Sequence, residues 1–224
     1  MKQSFIKQKG SSRLTLFFAG WGMGEGLLAP LSEGADDVML CFDYRDLQFD
    51  AAPLAAYASI RVVAWSMGVW VASQVLQGKD FPYQMKLAVN GTLLPIDDGQ
   101  GIPEAVFSGT LARFSEQTLV RFRRRMCGSV EEVKAFLAHH PYRSAGELRE
   151  ELAALAETVA RSDMPCFLWD RAVVGLRDKI FLADNQMNFW KGKTQLLPRD
   201  MEHYDDGFFA ACISGKEDGL WIKR

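Results

Sequence analysis

The 224-residue chain is 48% hydrophobic, 12% aromatic and 24% charged. It is too apolar for a disordered protein and long enough for one good-sized domain, or for a core carrying an insertion. Lysine and arginine total 26 against 28 acids, a formal net charge of −2, which excludes a globally basic nucleic-acid binder and leaves room only for a local basic patch. Cys41, Cys127, Cys166 and Cys212 stand far apart with no C-x-x-C pair, so neither a zinc site nor a thioredoxin-type motif is expected. Cys41, inside an apolar run, reads as a reduced, buried thiol. The first residues hold no apolar signal-peptide core, and no stretch reaches the ~18 uncharged apolar residues needed to cross a bilayer. The expectation is a cytoplasmic protein without a membrane partner.

Strand and helix signals alternate through the first half. Residues 14–19 (LTLFFA), 38–42 (VMLCF) and 60–65 (IRVVAW) are continuous apolar runs of the kind a fully buried parallel strand requires. After the third, Val69, Val71, Ala72, Val75 and Leu76 recur at helical spacing, with Gly78 as the stop. Residues 85–89 (MKLAV) predict another strand, closed by Asn90-Gly91. Residues 95–103 have loop composition. Three short helices are predicted next, with Ser115, Ser129 (paired with Glu132) and Ser144 (paired with Glu147) as N-caps. His139-His140 before Pro141 separates the second from the third, and Met164-Pro165 ends the third. Alternation resumes with strands at 172–175 (AVVG) and 194–197 (TQLL), then a closing helix over 205–213. The pattern predicts an α/β protein with a mostly parallel sheet flanked by helices. Its core is formed by residues 1–92 and 163–224, with a helical lid inserted over 93–162.

The chemistry lies in the turns. In Ala64-Trp65-Ser66-Met67-Gly68 a strand ends at a serine and a helix starts at once. That is the context of a nucleophile elbow, which exposes a serine hydroxyl above the sheet; Ala64 stands where G-x-S-x-G has its first glycine. The plain alternative is a serine N-cap. An oxyanion hole needs two backbone N–H groups, one from the residue after the nucleophile, Met67, and one from a glycine-rich loop after an early strand. Gly20-Trp21-Gly22-Met23-Gly24 supplies such a loop, with Trp21 at the donor position. It is not a dinucleotide fingerprint, because the third glycine of G-x-G-x-x-G falls on Glu25 or Leu27. Of three histidines, His139 and His140 end a lid helix and read as surface or capping groups, whereas His203 follows the last strand, where the order Ser…Asp…His places the base. Asp178, three residues past Gly175, is the expected orienting acid; Asp184 is the runner-up, and Asp170 comes too early unless the strand is displaced.

Phe18-Ala-Gly-Trp-Gly-Met-Gly24, Ala64-Trp-Ser-Met-Gly68, Asn90-Gly-Thr92 and Asn185-Gln186…Phe189-Trp190 together resemble the BioG-type esterases of early biotin synthesis. The resemblance spans nearly the whole chain. It implies an α/β-hydrolase fold with no metal or organic cofactor, and hydrolysis of the methyl ester of pimeloyl-acyl carrier protein. Ser66 would be the nucleophile, His203 the base, Trp21 an oxyanion donor and Asp178 the acid. In residues 111–125 there are five arginines (Arg113, Arg121, Arg123, Arg124 and Arg125) and one acid, Glu116. On a helix, Arg121, Arg124 and Arg125 would share a face beside Leu119, Phe122 and Met126. That basic rim would suit an acidic carrier protein, although a charged helix face is often merely solvated. Nucleic acid fits poorly, because few aromatics interleave with the arginines. The residues also admit a serine esterase or thioesterase acting on another acyl group, and a non-catalytic hydrolase-fold binding protein.

Overall fold

The computed structural model describes residues 1–31, 34–139, 143–215 and 218–221. Seven strands are present among them: β1 (Lys2–Lys7), β2 (Arg13–Phe18), β3 (Asp37–Phe42), β4 (Ser59–Trp65), β5 (Tyr83–Val89), β6 (Arg171–Gly175) and β7 (Gln195–Arg199). They form one sheet in the order β1-β3-β2-β4-β5-β6-β7. Only β1, paired with β3, is antiparallel; every other neighbouring pair is parallel. Helix α1 (Met67–Leu76) leaves β4 directly. Four helices lie between β5 and β6: α2 (Glu104–Ala112), α3 (Glu116–Cys127), α4 (Val130–His139) and α5 (Ala145–Arg161). Then α6 (Ala183–Trp190) joins β6 to β7, and α7 (Asp206–Ser214) with the single turn α8 (Asp218–Trp221) follows the sheet. No helix among the described residues is long and apolar enough to cross a membrane.

The central strands are apolar at consecutive positions because both faces are covered. Every side chain of β3 and β6 is buried, as is all of β2 except Arg13. A strand covered on both sides has no reason to alternate, so these segments were legible as runs. Register then sets the site. Phe18 pairs with Ala64, Trp65 with Val89, and Val89 with Val173, so the loops after β2, β4, β5 and β6 emerge together at the carboxyl edge, where ligands bind in open parallel sheets.

Several expectations need correction. Strand β1 was not expected: KQSFIK is only partly buried, at a sheet edge, and carries no continuous apolar signal. The region between β5 and β6 holds four helices rather than three short ones. The additional one, α2, begins after Pro103 without a side-chain cap, so the capping pattern passes over it, and α5 is 17 residues long. The Ser115 and Ser144 caps form with reciprocal hydrogen bonds, and Ser129 Oγ accepts the Glu132 N–H at 3.1 Å. Helix α5 stops at Arg161, before Met164-Pro165. Residues 140–142, which include His140 and Pro141, lie outside the described residues. Strand β7 includes Pro198, opposite Val174. A proline is tolerated there because β7 is an edge and its other side needs no donor.

Candidate active site

Ser66 sits between β4 and α1 with φ 59° and ψ −131°. A non-glycine residue held there is strained, and such strain concentrates at functional turns. Its side chain makes no capping hydrogen bond, so the N-cap alternative does not describe it. Close approach explains the residue two positions on: a Cβ at Gly68 would lie 2.4 Å from the Ala19 carbonyl oxygen and 2.5 Å from that of Phe18. The glycine-rich loop after β2 is equally near, since a Cβ at Gly20 would meet Ser66 Cβ at 3.1 Å.

Three expected residues converge. His203 Nε2 lies 3.0 Å from Ser66 Oγ, and His203 Nδ1 lies 2.8 Å from Asp178 Oδ2. All three are nearly inaccessible, at 4%, 1% and 5% exposure for Ser66, His203 and Asp178, so water does not compete for these hydrogen bonds. The carboxylate is saturated with donors. Oδ1 accepts the N–H groups of Ile180 and Phe181 at 2.7 and 3.0 Å, and Oδ2 accepts Gln186 Nε2 at 3.0 Å. Gln186 also donates to the Phe181 carbonyl at 2.6 Å, which fixes the amide's orientation. The imidazole is stacked on Phe181, with the planes 6° apart, and faces Trp65. The His203 carbonyl is held by Trp65 Nε1 and by Asn90 Nδ2, both at 2.9 Å.

The alternatives lie elsewhere. Asp184 is exposed in the first turn of α6. Asp170 accepts the Lys86 N–H at 2.8 Å, at the amino end of β6, away from Ser66. His139 closes α4.

Trp21 and Met67 are both buried and line a slot over Ser66 and His203, together with Gly20, Ile102, Phe107 and Ile180. Met67 is the first residue of α1, where helical geometry leaves the backbone N–H without an intrahelical acceptor. The slot is narrow. At its outer end Val106, Thr110, Phe122 and Arg125 also line a wider trough of about 510 Å³, whose wall carries Arg113 and Arg121. Of the three arginines expected on one face, Arg121 and Arg125 both line the trough. Arg124 is exposed and lines neither cavity. Arg125 also donates to the Lys179 carbonyl at 2.9 Å, which ties α3 to the loop that carries Asp178. Among the described residues no group of three or more His, Cys, Asp or Glu side chains is placed to hold a metal.

Gln186 and Asn90 are the supporting residues the sequence reading did not assign a role. Asn90, buried with φ 47°, accepts the Gly175 N–H at 2.7 Å. It thereby joins the ends of β5 and β6 to the segment carrying His203. The available signal was an Asn-Gly pair directly after a strand, since asparagine tolerates positive φ. Gln186 stands in the Asn185-Gln186…Phe189-Trp190 segment, but its role is recognisable only once α6 is seen against Asp178.

The topology and the strand–turn–helix at Ser66 define an α/β-hydrolase fold. A lipase-esterase related protein from Clostridium acetobutylicum superimposes with a TM-score of 0.67 at 13% identity, covering 98% of each chain. More specifically, residues 1–212 match the family described as pimeloyl-ACP methyl esterase BioG, and the chain belongs to that family. The crystal structure of BioG from Haemophilus influenzae is 38% identical, with a TM-score of 0.88 over 99% of this chain and 100% of that one. The chain is also similar to a malonyl-[acyl-carrier protein] O-methyltransferase of Bacteroides fragilis, 46% identical over 192 residues. That match covers 85% of this chain and spans only 39% of the length of the relative.

Proposed function

We propose that this protein is a serine carboxylesterase that hydrolyses the methyl ester of pimeloyl-acyl carrier protein in biotin synthesis. The observation that carries the reading is the Ser66–His203–Asp178 hydrogen-bonded chain, 3.0 and 2.8 Å long, at the floor of an apolar slot. A serine hydroxyl is a poor nucleophile until a base takes its proton. His203 Nε2 accepts that proton as Ser66 Oγ attacks the ester carbonyl carbon. Asp178 keeps the proton on Nδ1 and stabilises the imidazolium. The N–H groups of Trp21 and Met67 receive the developing oxyanion, each worth about 3 kcal/mol of barrier. When the intermediate collapses, the bond to methoxide breaks and His203 protonates the leaving group to methanol. Water then attacks the acyl-Ser66 ester, giving up its proton to His203, and the free carboxylate departs.

Membership of the BioG family supports the substrate assignment. So does the Bacteroides relative, named for methyl transfer to a carrier-bound acid, because the proposed reaction removes a methyl ester from such an acid. In this reading residues 93–162 are a lid over the slot. The carrier protein docks beside Arg113, Arg121 and Arg125, its acyl arm entering where trough and slot meet. An acidic carrier would be attracted to such a rim. The reaction needs no metal or organic cofactor.

The test is hydrolysis of pimeloyl-acyl carrier protein methyl ester by the native protein and by Ser66→Ala. Methanol release by the first and not by the second is expected. A well-folded native protein that releases none refutes the substrate, and turnover retained in Ser66→Ala refutes the nucleophile.

A further inference from the structure

Helix α5 carries a carboxylate that the triad does not use. Glu151 is completely buried, yet it sits on an amphipathic helix whose neighbouring Arg149 and Glu150 are exposed. Its Oε1 accepts the Tyr44 N–H at 2.9 Å. Its Oε2 accepts the Gly22 N–H at 3.2 Å and Arg143 Nη1 at 2.6 Å. Burial pushes the Glu151 carboxyl above its ordinary range, while the charge of Arg143 and the Tyr44 N–H pull the other way. Arg143 is held in turn by Asp43 at 3.1 Å.

These bonds close a ring around one short stretch of backbone. The Tyr44 hydroxyl donates to the Ala19 carbonyl at 2.7 Å, and the Ala19 N–H donates to the Cys41 carbonyl at 2.9 Å. Residue 19 is thus fixed from one side and residue 22 from the other, with Gly20-Trp21 between them. The indole Nε1 of Trp21 donates to the Leu148 carbonyl at 2.9 Å, about one turn before Glu151 on the same helix. Placing an ion in a dry interior is costly, and a well-packed apolar side chain of similar volume often stabilises a fold as well or better. A buried carboxyl that takes two loop N–H groups and a guanidinium at this position therefore points to what it holds in place.

We propose that Glu151 is a positioning residue for the esterase reaction: its buried carboxylate, through the Gly22 and Tyr44 N–H groups, holds the Gly20–Gly24 loop so that the Trp21 N–H meets the oxyanion. The inference rests on the reading of Trp21 as an oxyanion donor and of Ser66 as the nucleophile. Glu151 touches no substrate atom; it acts through the backbone of the loop. In Glu151→Gln the shape is kept, but the amide presents N–H groups to an N–H of Gly22 or Tyr44, and two donors cannot bond each other. The loop then moves by a fraction of an ångström, enough to misalign an oxyanion donor.

The experiment uses a trifluoromethyl ketone labelled with ¹³C at the carbonyl. Ser66 Oγ adds to the carbonyl carbon, its proton passes to His203, and the ketone oxygen becomes a stable oxyanion whose protonation is read from the carbon shift. In the native protein the oxyanion titrates below the free ketone hydrate. In Glu151→Gln that titration rises by about one unit or more. Alongside it, kcat on a small ester falls about tenfold or more while KM moves little. A purely structural clamp would lower thermal stability and leave the titration of the folded protein where it was; an unchanged titration in the variant overturns the proposal. A native adduct that titrates like the free hydrate, or no adduct at all, overturns both the proposal and the oxyanion reading beneath it. If Glu151→Gln does not fold, Glu151→Asp keeps the charge and draws the oxygens back by about 1.5 Å. The same rise in titration is expected there, and its absence is equally decisive.

Discussion

Replacing Asp178 by asparagine exchanges one oxygen for an NH₂ and reverses the logic of the hydrogen bonds around it. Oδ1 accepts the Ile180 and Phe181 N–H groups at 2.7 and 3.0 Å, so the retained oxygen stays there and the new NH₂ takes the place of Oδ2. It then faces His203 Nδ1 and Gln186 Nε2, which lie 2.8 and 3.0 Å from that position. The imidazole can satisfy the NH₂ only by carrying its proton on Nε2, which aims a proton at Ser66 Oγ and removes the base. The tautomer change corresponds to about 10⁴-fold in kcat, or about 5 kcal/mol of barrier. Gln186 cannot relieve the clash by rotating its amide, because its oxygen would then confront the Phe181 carbonyl that now accepts from Nε2 at 2.6 Å. An unsatisfied buried donor therefore remains, and stability falls by about 1–3 kcal/mol. Steady-state hydrolysis of a nitrophenyl ester and a urea titration on the same sample measure the two effects. A loss of kcat below about tenfold in a folded Asp178→Asn protein would refute the tautomer argument.

Asn90→Ala removes an acceptor for the Gly175 N–H and donors to the His203 and Glu202 carbonyls. It should lower unfolding free energy by about 3 kcal/mol and reduce kcat as well; a urea midpoint close to native would contradict this. Burial alone would raise the Asp43 carboxyl, but hydrogen bonds from Arg45 and Lys2 and the charge of Arg143 outweigh it and bring it to about 2, from an ordinary 3.8. The folded state holds Asp43 ionised more firmly than the unfolded chain does. Its contribution is complete above pH 3.8 and disappears as pH falls towards 2. Stability measured from pH 5 to pH 2 should fall less steeply in Asp43→Asn than in the native protein, and equal slopes would count against the assignment. Charge reversal of Arg121 and Arg125 together should cut kcat/KM on the carrier-bound ester by about tenfold or more and flatten its salt dependence. Equal losses on a small neutral ester would show that the arginines do not recognise a partner.

The parts of this molecule that were legible in the sequence are those with a local cause. Strands β2, β3, β4 and β6 are buried on both faces, so their apolar runs need no knowledge of neighbours. The serine caps of α3 and α5 write their own boundaries, and Gly68 is dictated by carbonyl oxygens only 2.4 and 2.5 Å from where a Cβ would be. The convergence of Ser66, Asp178 and His203 followed from chain order within one topology. What escaped depends on partners distant in sequence. Strand β1 is a strand because β3 offers it an edge. Gln186 matters because α6 brings it to Asp178. Glu151 looks like one more acid in an amphipathic helix until α5 is docked on the Gly20–Gly24 loop.

The separation of β5 from β6 along the chain bears on how this protein acquires activity. The strands are neighbours in the sheet, yet the helices α2 to α5 intervene, so pairing them closes a loop of roughly 80 residues at an entropic cost of about 4 kcal/mol. Ser66 lies before that closure; Asp178 and His203 lie after it. A chain emerging from the ribosome can form β2, β3, β4 and the elbow while His203 is still distant from Ser66, and on the proposed mechanism the far half of the sheet must join before any ester is cleaved. On that mechanism, catalysis reports the joining of the two halves of the sheet. Regain of fluorescence from buried Trp70 on α1 can precede regain of hydrolysis, and the lag between them times the docking of β6 and β7 onto a half-built sheet.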